Sequence, residues 1–180
     1  MGELWLVRHG ETVWSRTGQH TGHTDIPLTP AGEAGALALR PRLARPWALV
    51  LASPLQRAWR TAELAGLSAT ADPDLMEWDY GPAEGLTTAQ LSAEKPWRVW
   101  EDVPLGETVD EVAARVRRVL AKVPSEGDTV VVAHGHVLRI LTAVHLGLDP
   151  RAGKHWVLPP CGIAVLGHEH EWPAMLRWNA

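Results

Sequence analysis

The chain has 180 residues, the size of one domain at ~150 residues each, and its 46% hydrophobic and 21% charged content excludes collagenous, coiled-coil and disordered classes. A single cysteine, Cys161, excludes an internal disulfide and any multi-cysteine zinc site. A formal charge of −4 argues against a nucleic-acid partner, which would need a broad positive face.

No stretch approaches the eighteen or more apolar residues of a spanning helix, so a cytoplasmic protein without a membrane partner is expected. The expected organisation is one domain over residues 1–180, with no internal repeat, low-complexity tract or linker.

Leu4 to Val7 is a short apolar run of the kind a parallel strand buried on both faces shows. After an irregular stretch, Thr29-Pro30 predicts a helix to about Leu43, with Thr as N-cap and Pro at the first helical position. Ala48 to Ala52 reads as a second strand, and Ser53-Pro54 repeats the entry signal for a helix ending near Ala65. Thr87 with Gln90, and Thr108 with Glu111, have the capping-box spacing. From Thr108 onward Val109, Val112, Ala113, Val116, Val119, Leu120 and Val123 follow helical spacing, with Arg115, Arg117 and Arg118 expected outward. Thr129 to Ala133 is a third buried strand, and Val137, Leu138, Leu141, Val144 and Leu148 fit a helix after Gly135. Gly162 to Leu166 and Ala174 to Trp178 read as a closing strand pair. Strands alternating with helices predict an α/β fold, a three-layer α/β/α sandwich on a mostly parallel sheet.

In such folds ligands bind beyond the carboxyl ends of the strands. The first strand runs into Arg8-His9-Gly10-Glu11-Thr12, the second into Ser53-Pro54-Leu55-Gln56-Arg57, and the third into His134-Gly135-His136. Glycine permits a sharp turn and close ligand approach, a helix N-terminus after Gly135 favours anions, and arginine's planar fork matches phosphate oxygens. Two histidines and two arginines at one sheet edge therefore predict a phosphate pocket containing a nucleophile.

These segments, in this order and over nearly the whole chain, resemble the histidine phosphatase superfamily, also called phosphoglycerate-mutase-like. The resemblance implies that His9 is a nucleophile forming a phosphohistidine, and that Arg8, Arg57 and His134 bind the transferred phosphoryl group. Ser15 and Gly135 are further phosphate-binding candidates, although many members carry Asn where this chain has Ser15. Glu77, in the loop Leu75 to Gly85, matches the family's acid/base, with Glu84 as the second choice. No cofactor and no metal are implied. Trp14 to Gly22, Thr24 to Thr29, Glu77 to Gly81, Trp97 to Trp100 with Gly106-Glu107-Thr108, and Ala133 to Arg139 are similar to the fungal sedoheptulose-1,7-bisphosphatase type. By that analogy His20, Thr21, Gly22, Arg139 and, more weakly, His170 are candidate substrate contacts, although the segment between Tyr80 and Glu107 is short beside larger relatives.

The expected function is therefore hydrolysis of small phosphorylated metabolites, sugar phosphates or bisphosphates foremost. Alternatives are a phosphoglycerate mutase, a broad-specificity acid or phosphoprotein phosphatase, and a non-catalytic phosphoprotein-binding module. The pairs His20/His23, His134/His136 and His168/His170 raise a metal site as a further alternative, but no acidic partner follows His136 at metallohydrolase spacing. The oligomeric state is left open, a homodimer included.

Overall fold

The computed structural model describes residues 2–93, 97–101 and 106–179. Six strands form one sheet: β1 (Leu4–Arg8), β2 (Leu49–Ala52), β3 (Thr70–Ala71), β4 (Thr129–Ala133), β5 (Ile163–Glu169) and β6 (Trp172–Trp178). Their order across the sheet is β3-β2-β4-β1-β5-β6. The pairs β3/β2, β2/β4 and β4/β1 are parallel, and the β5–β6 hairpin adds two antiparallel pairs at one side. The helices are α1 (Val13–Thr17), α2 (Pro30–Ala38), α3 (Arg40–Leu43), α4 (Gln56–Leu64), α5 (Thr88–Leu91), α6 (Val109–Leu120) and α7 (Gly135–His145).

Side chains alternate across a strand, and here both faces are covered. Leu4, Leu6, Val131, Ala133, Ala164 and Leu166 pack with α6 and α7. Val7, Val130, Val132, Ile163 and Val165 pack on the other face with Leu39, Leu43 and the alanines of α4. This is why β1 and β4 are nearly continuous apolar runs, and it yields the expected three-layer α/β/α fold. No helix among the described residues is long and apolar enough to cross a membrane.

Local expectations fail where one side chain has a better use. The helix predicted from Thr29 to Leu43 divides at Leu39 into α2 and α3. Pro41 explains the break, because it lacks the N–H that would bond to residue 37 and its ring crowds that carbonyl. Ser53 does not cap α4; the N-cap is Leu55, in extended conformation. The Ser53 hydroxyl is engaged by His134 instead. Thr29, Thr87 and Thr108 cap as predicted, the last two in full capping boxes. Leu148 lies beyond α7 and is exposed. Arg115 is buried, not outward. A capping box between Thr12 and Ser15 opens α1 within the stretch read as irregular.

Candidate active site

The exits of β1, β2 and β4 meet at the carboxyl edge of the parallel strands. His9 follows β1 directly, and its ring lies edge-on to His134 with centroids 5.1 Å apart. Gly10 makes the exit possible: a Cβ there would stand 2.4 Å from the carbonyl oxygen of Gly32, where the loop crosses the start of α2. Gly10 N–H donates to Thr61 Oγ1, tying the loop to α4.

Hydrogen bonding fixes both imidazoles. His9 Nδ1 is 2.7 Å from Gly10 O. A carbonyl only accepts, so Nδ1 carries the hydrogen and Nε2 carries the lone pair. Nε2 has no hydrogen bond to any described residue. His134 has the same tautomer logic reversed: Arg57 Nε donates to its Nδ1 at 3.1 Å, so Nε2 holds the hydrogen and donates to Ser53 Oγ at 2.7 Å.

His9, His134 and His136 are all held well below the ordinary imidazole value, chiefly by burial. Arg57 and Arg8 push His9 further down, Arg57 and His9 do so for His134, and Arg139 for His136. As pH falls through about 6.5 the unfolded chain takes up protons at these positions and the folded chain does not. Stability is thus full above that value and is lost as pH drops, by up to about 1.4 kcal/mol per pH unit for each such histidine. The urea midpoint is expected to fall clearly between pH 7 and pH 5.5, before most carboxylates titrate. An unchanged midpoint would contradict neutral, buried histidines.

His9 lines a recess of about 110 Å³ with Arg8, Ser15, His20, Thr21, Glu77, Gly135 and Arg139. That is small beside the several hundred Å³ of most ligand pockets and suits a compact anionic group with the rest of a ligand at its mouth. Arg8 donates to Leu158 O at 2.7 Å, while its buried Nε has no partner. Gly135 leaves space for that guanidinium, since a Cβ would lie 3.3 Å from Arg8 Cζ.

Glu77 is clamped at the start of α7. Its Oε1 accepts from Trp78 N at 3.0 Å and Val137 N at 2.9 Å, and its Oε2 from His136 N at 3.0 Å. A carboxylate is favoured at a helix N-terminus, and this one takes two of the N–H groups that α7 was expected to offer an anion. Gly135 N–H, without a hydrogen bond among the described residues, is the one left at the recess.

Other sequence candidates are placed differently. Arg57 is wholly buried and does not line the recess. Besides His134 it donates to Thr24 O, Gly22 O and Thr21 O. Most of its donors thus hold His134 and the Thr21–Thr24 turn, and His134 is likewise enclosed, so neither lines the recess in this arrangement. Ser15 lines the recess, yet its hydroxyl donates to Thr12 O and accepts from Thr12 N as part of the α1 cap. Gly22 is buried behind the turn, where a Cβ would strike Glu84 Oε1 and Trp78 O. It does not line the recess. Glu84 is no acid for the recess either: its carboxylate accepts from His23 N, Thr24 N and Thr24 Oγ1.

His170 is a plain miss. It lies at the β5–β6 turn with its side chain 82% exposed. Because β5 runs antiparallel to β1, with Leu166 opposite Leu4, residue 170 lies past the amino end of β1, away from His9.

His20, Thr21 and Arg139 do border the recess. Arg139 is fixed by Nε donating to Gly153 O at 2.8 Å and by the Trp100 ring 5.0 Å away, and its terminal nitrogens hydrogen-bond to no described residue. His20 packs against Tyr80 and Trp97, so Trp97 and Trp100 serve as packing around the mouth. Tyr80 and His136, bonded to each other, also line the recess; neither was among the expected phosphate or substrate contacts, His136 having been raised only in a metal-site pair. The only available signal was their position beside Glu77 and His134. No group of three or more metal-ligating side chains occurs among the described residues.

A parallel α/β sheet whose carboxyl edge joins a neutral histidine, a free arginine Nε and a helix N-terminus defines an enzyme site built for phosphoryl groups. The chain belongs to the histidine phosphatase superfamily (branch 1), whose family model matches residues 4–180. It is 39% identical over 178 residues to an acid phosphatase of Mycobacterium tuberculosis, covering 93% of this chain and 87% of that protein. It is 35% identical over 181 residues to the sedoheptulose 1,7-bisphosphatase of Saccharomyces cerevisiae, covering 79% of this chain and 67% of that one. A solved structure of a Mycobacterium tuberculosis open reading frame superposes with a TM-score of 0.94 at 35% identity, covering 99% of this chain and 97% of that one. The protein is a phosphoric monoester hydrolase.

Proposed function

We propose that the enzyme hydrolyses small phosphorylated metabolites, sugar phosphates or bisphosphates foremost, without a metal and through a phosphohistidine on His9. The observation that carries this reading is the His9 tautomer: Nδ1–H is engaged by Gly10 O, leaving the Nε2 lone pair at the recess. Nε2 attacks phosphorus and the ester P–O bond breaks. The ring gains positive charge as it does so, and Gly10 O stabilises that charge.

Arg8 and Gly135 N–H meet the non-bridging oxygens, where fixed donors supply most of the catalysis of phosphoryl transfer. Arg57 adds a second fixed positive charge, and one Nη1 hydrogen, without a partner among the described residues, is the donor it has left for the phosphoryl group. Glu77 accepts two N–H groups at Oε1 and one at Oε2, so the remaining Oε2 site carries the proton that its acid form gives to the departing alkoxide. In the second step its carboxylate takes a proton from water, the resulting hydroxide attacks phosphorus, and the P–N bond breaks to return neutral His9 and inorganic phosphate.

The free terminal nitrogens of Arg139 at the mouth support a substrate carrying a second anionic group, and the sedoheptulose 1,7-bisphosphatase relative supports a sugar bisphosphate. The test is phosphate release in EDTA from sugar mono- and bisphosphates, 3-phosphoglycerate, nucleotides, a phosphopeptide and p-nitrophenyl phosphate. A sugar bisphosphate is expected to lead in kcat/KM, and Arg139→Met to lower that value by roughly ten- to a hundredfold, the worth of one charged hydrogen bond. Loss of equal size on p-nitrophenyl phosphate would remove Arg139 from distal recognition. Activity abolished by EDTA and restored by zinc would overturn the metal-free reading, and isomerised 3-phosphoglycerate with little free phosphate would favour a mutase.

A further inference from the structure

We propose that Arg115 is a positioning residue for Glu77, holding the main chain that carries the proton donor; this rests on the reading of Glu77 as acid and base. Arg115 projects from α6, and all five guanidinium hydrogens are engaged. Nη1 donates to Asp74 O at 2.8 Å and Met76 O at 2.6 Å, and Nη2 to Glu77 O at 3.1 Å. The other edge of the fork grips Glu107, with Nε to Oε1 at 2.8 Å and Nη2 to Oε2 at 2.9 Å.

Glu107 closes the frame. Its Oε2 accepts from Asp79 N at 3.1 Å, its backbone N donates to Asp79 O at 3.0 Å, and its carbonyl accepts from Trp78 Nε1 at 2.7 Å. Gly106 is what lets the two segments lie so close, since a Cβ there would stand 2.4 Å from Asp79 O. Glu77 is therefore strung between two helices: α6 fixes its backbone through Arg115, and the N-terminus of α7 fixes its carboxylate.

Stability alone gives weak grounds for this arrangement. A largely buried ion pair is costly to desolvate, and an apolar residue between Val112, Val116 and Val119 would extend the stripe that α6 already buries. What an apolar side chain cannot do is orient the three carbonyls of Asp74, Met76 and Glu77. Lysine cannot either, because its single ammonium lacks the planar fork.

The experiment compares kcat of the wild type, Arg115→Lys, Glu77→Gln and the double variant on p-nitrophenyl phosphate and on glycerol phosphate, whose alkoxide leaving group needs a proton. Arg115→Lys is expected to lose about ten- to a hundredfold on glycerol phosphate, as for a catalytic group misplaced by about an ångström, and several-fold less on the aryl ester. In the Glu77→Gln background the same substitution is expected to cost less than about twofold, because a residue acting through Glu77 has nothing left to position. Equal loss on both esters, or a loss that persists undiminished in the Glu77→Gln background, would overturn the proposal while leaving Glu77 as acid. If Glu77→Gln itself fails to discriminate between the esters, the reading of Glu77 falls and the proposal with it. Glu107→Gln keeps the shape of the pair and weakens its grip; should Arg115→Lys not fold, this variant must show the same ester selectivity in smaller degree.

Discussion

His9→Ala is expected to lower kcat by at least about 10⁴-fold on every phosphate ester, including p-nitrophenyl phosphate, with the fold retained. The loss is uniform across leaving groups because the variant lacks the atom that attacks phosphorus, and the neighbouring imidazoles are engaged elsewhere, His20 through Nε2 to Thr88 Oγ1. His134 is fully buried, with Nδ1 accepting from Arg57 and Nε2 donating to Ser53. His136 is turned to Tyr80 through Nδ1. The fold should survive because the bonds of this segment to β4 and β5, His9 N–H to Ala133 O included, are made by the backbone and do not use the ring. Rapid acid-free quenching with [³²P]-labelled substrate should trap a base-stable, acid-labile phosphoprotein in the wild type and none in His9→Ala. Turnover within tenfold of wild type would sink the covalent mechanism.

Glu77→Gln is expected to reduce kcat on alkyl phosphates by about 10²- to 10⁴-fold, the usual contribution of a positioned general acid or base. On p-nitrophenyl phosphate the loss should be at least an order of magnitude smaller, since a nitrophenolate leaves with little protonation. The substitution also has a geometric cost. The carboxylate accepts from three backbone N–H groups, two at Oε1 and one at Oε2. An amide can present its oxygen to the Trp78 and Val137 pair, which turns its NH₂ toward His136 N–H, donor against donor. Some loss on both esters is therefore expected beneath the selective one. Losses of the same size on both would make Glu77 a positioning group and not a proton carrier.

Much of the architecture was legible in the chain because it rests on local rules. Leu4 to Val7 and Thr129 to Ala133 are apolar on both alternating faces, which is the mark of central parallel strands, and Thr29 and Thr108 carry side chains that cap the next helix. Sequence order also placed His9, Ser53 and His134 at strand exits, and the sheet brings those exits together. Spacing of apolar residues, however, reports which face of a helix is buried and says nothing of whether a polar residue on that face finds partners. Arg115 stands in the stripe of Val112, Val116 and Val119, a position that could have marked it as buried, but its carbonyl partners are about forty residues earlier in the chain. The same limit separates Glu77 from Glu84: both are loop carboxylates, and only the packing of α7 against one and the Gly22–Thr24 turn against the other distinguishes them. Arg139 and, more weakly, His170 were candidate contacts; the antiparallel return of β5 carried His170 to the far end of the sheet, while α7 left Arg139 at the recess that His9 lines. The sequence by itself therefore determined the chemical types available and the edge at which they gather. Which donors remain free to meet a ligand was left to the tertiary structure, because a buried hydrogen-bonding group must be satisfied and the partners that satisfy it come from distant segments.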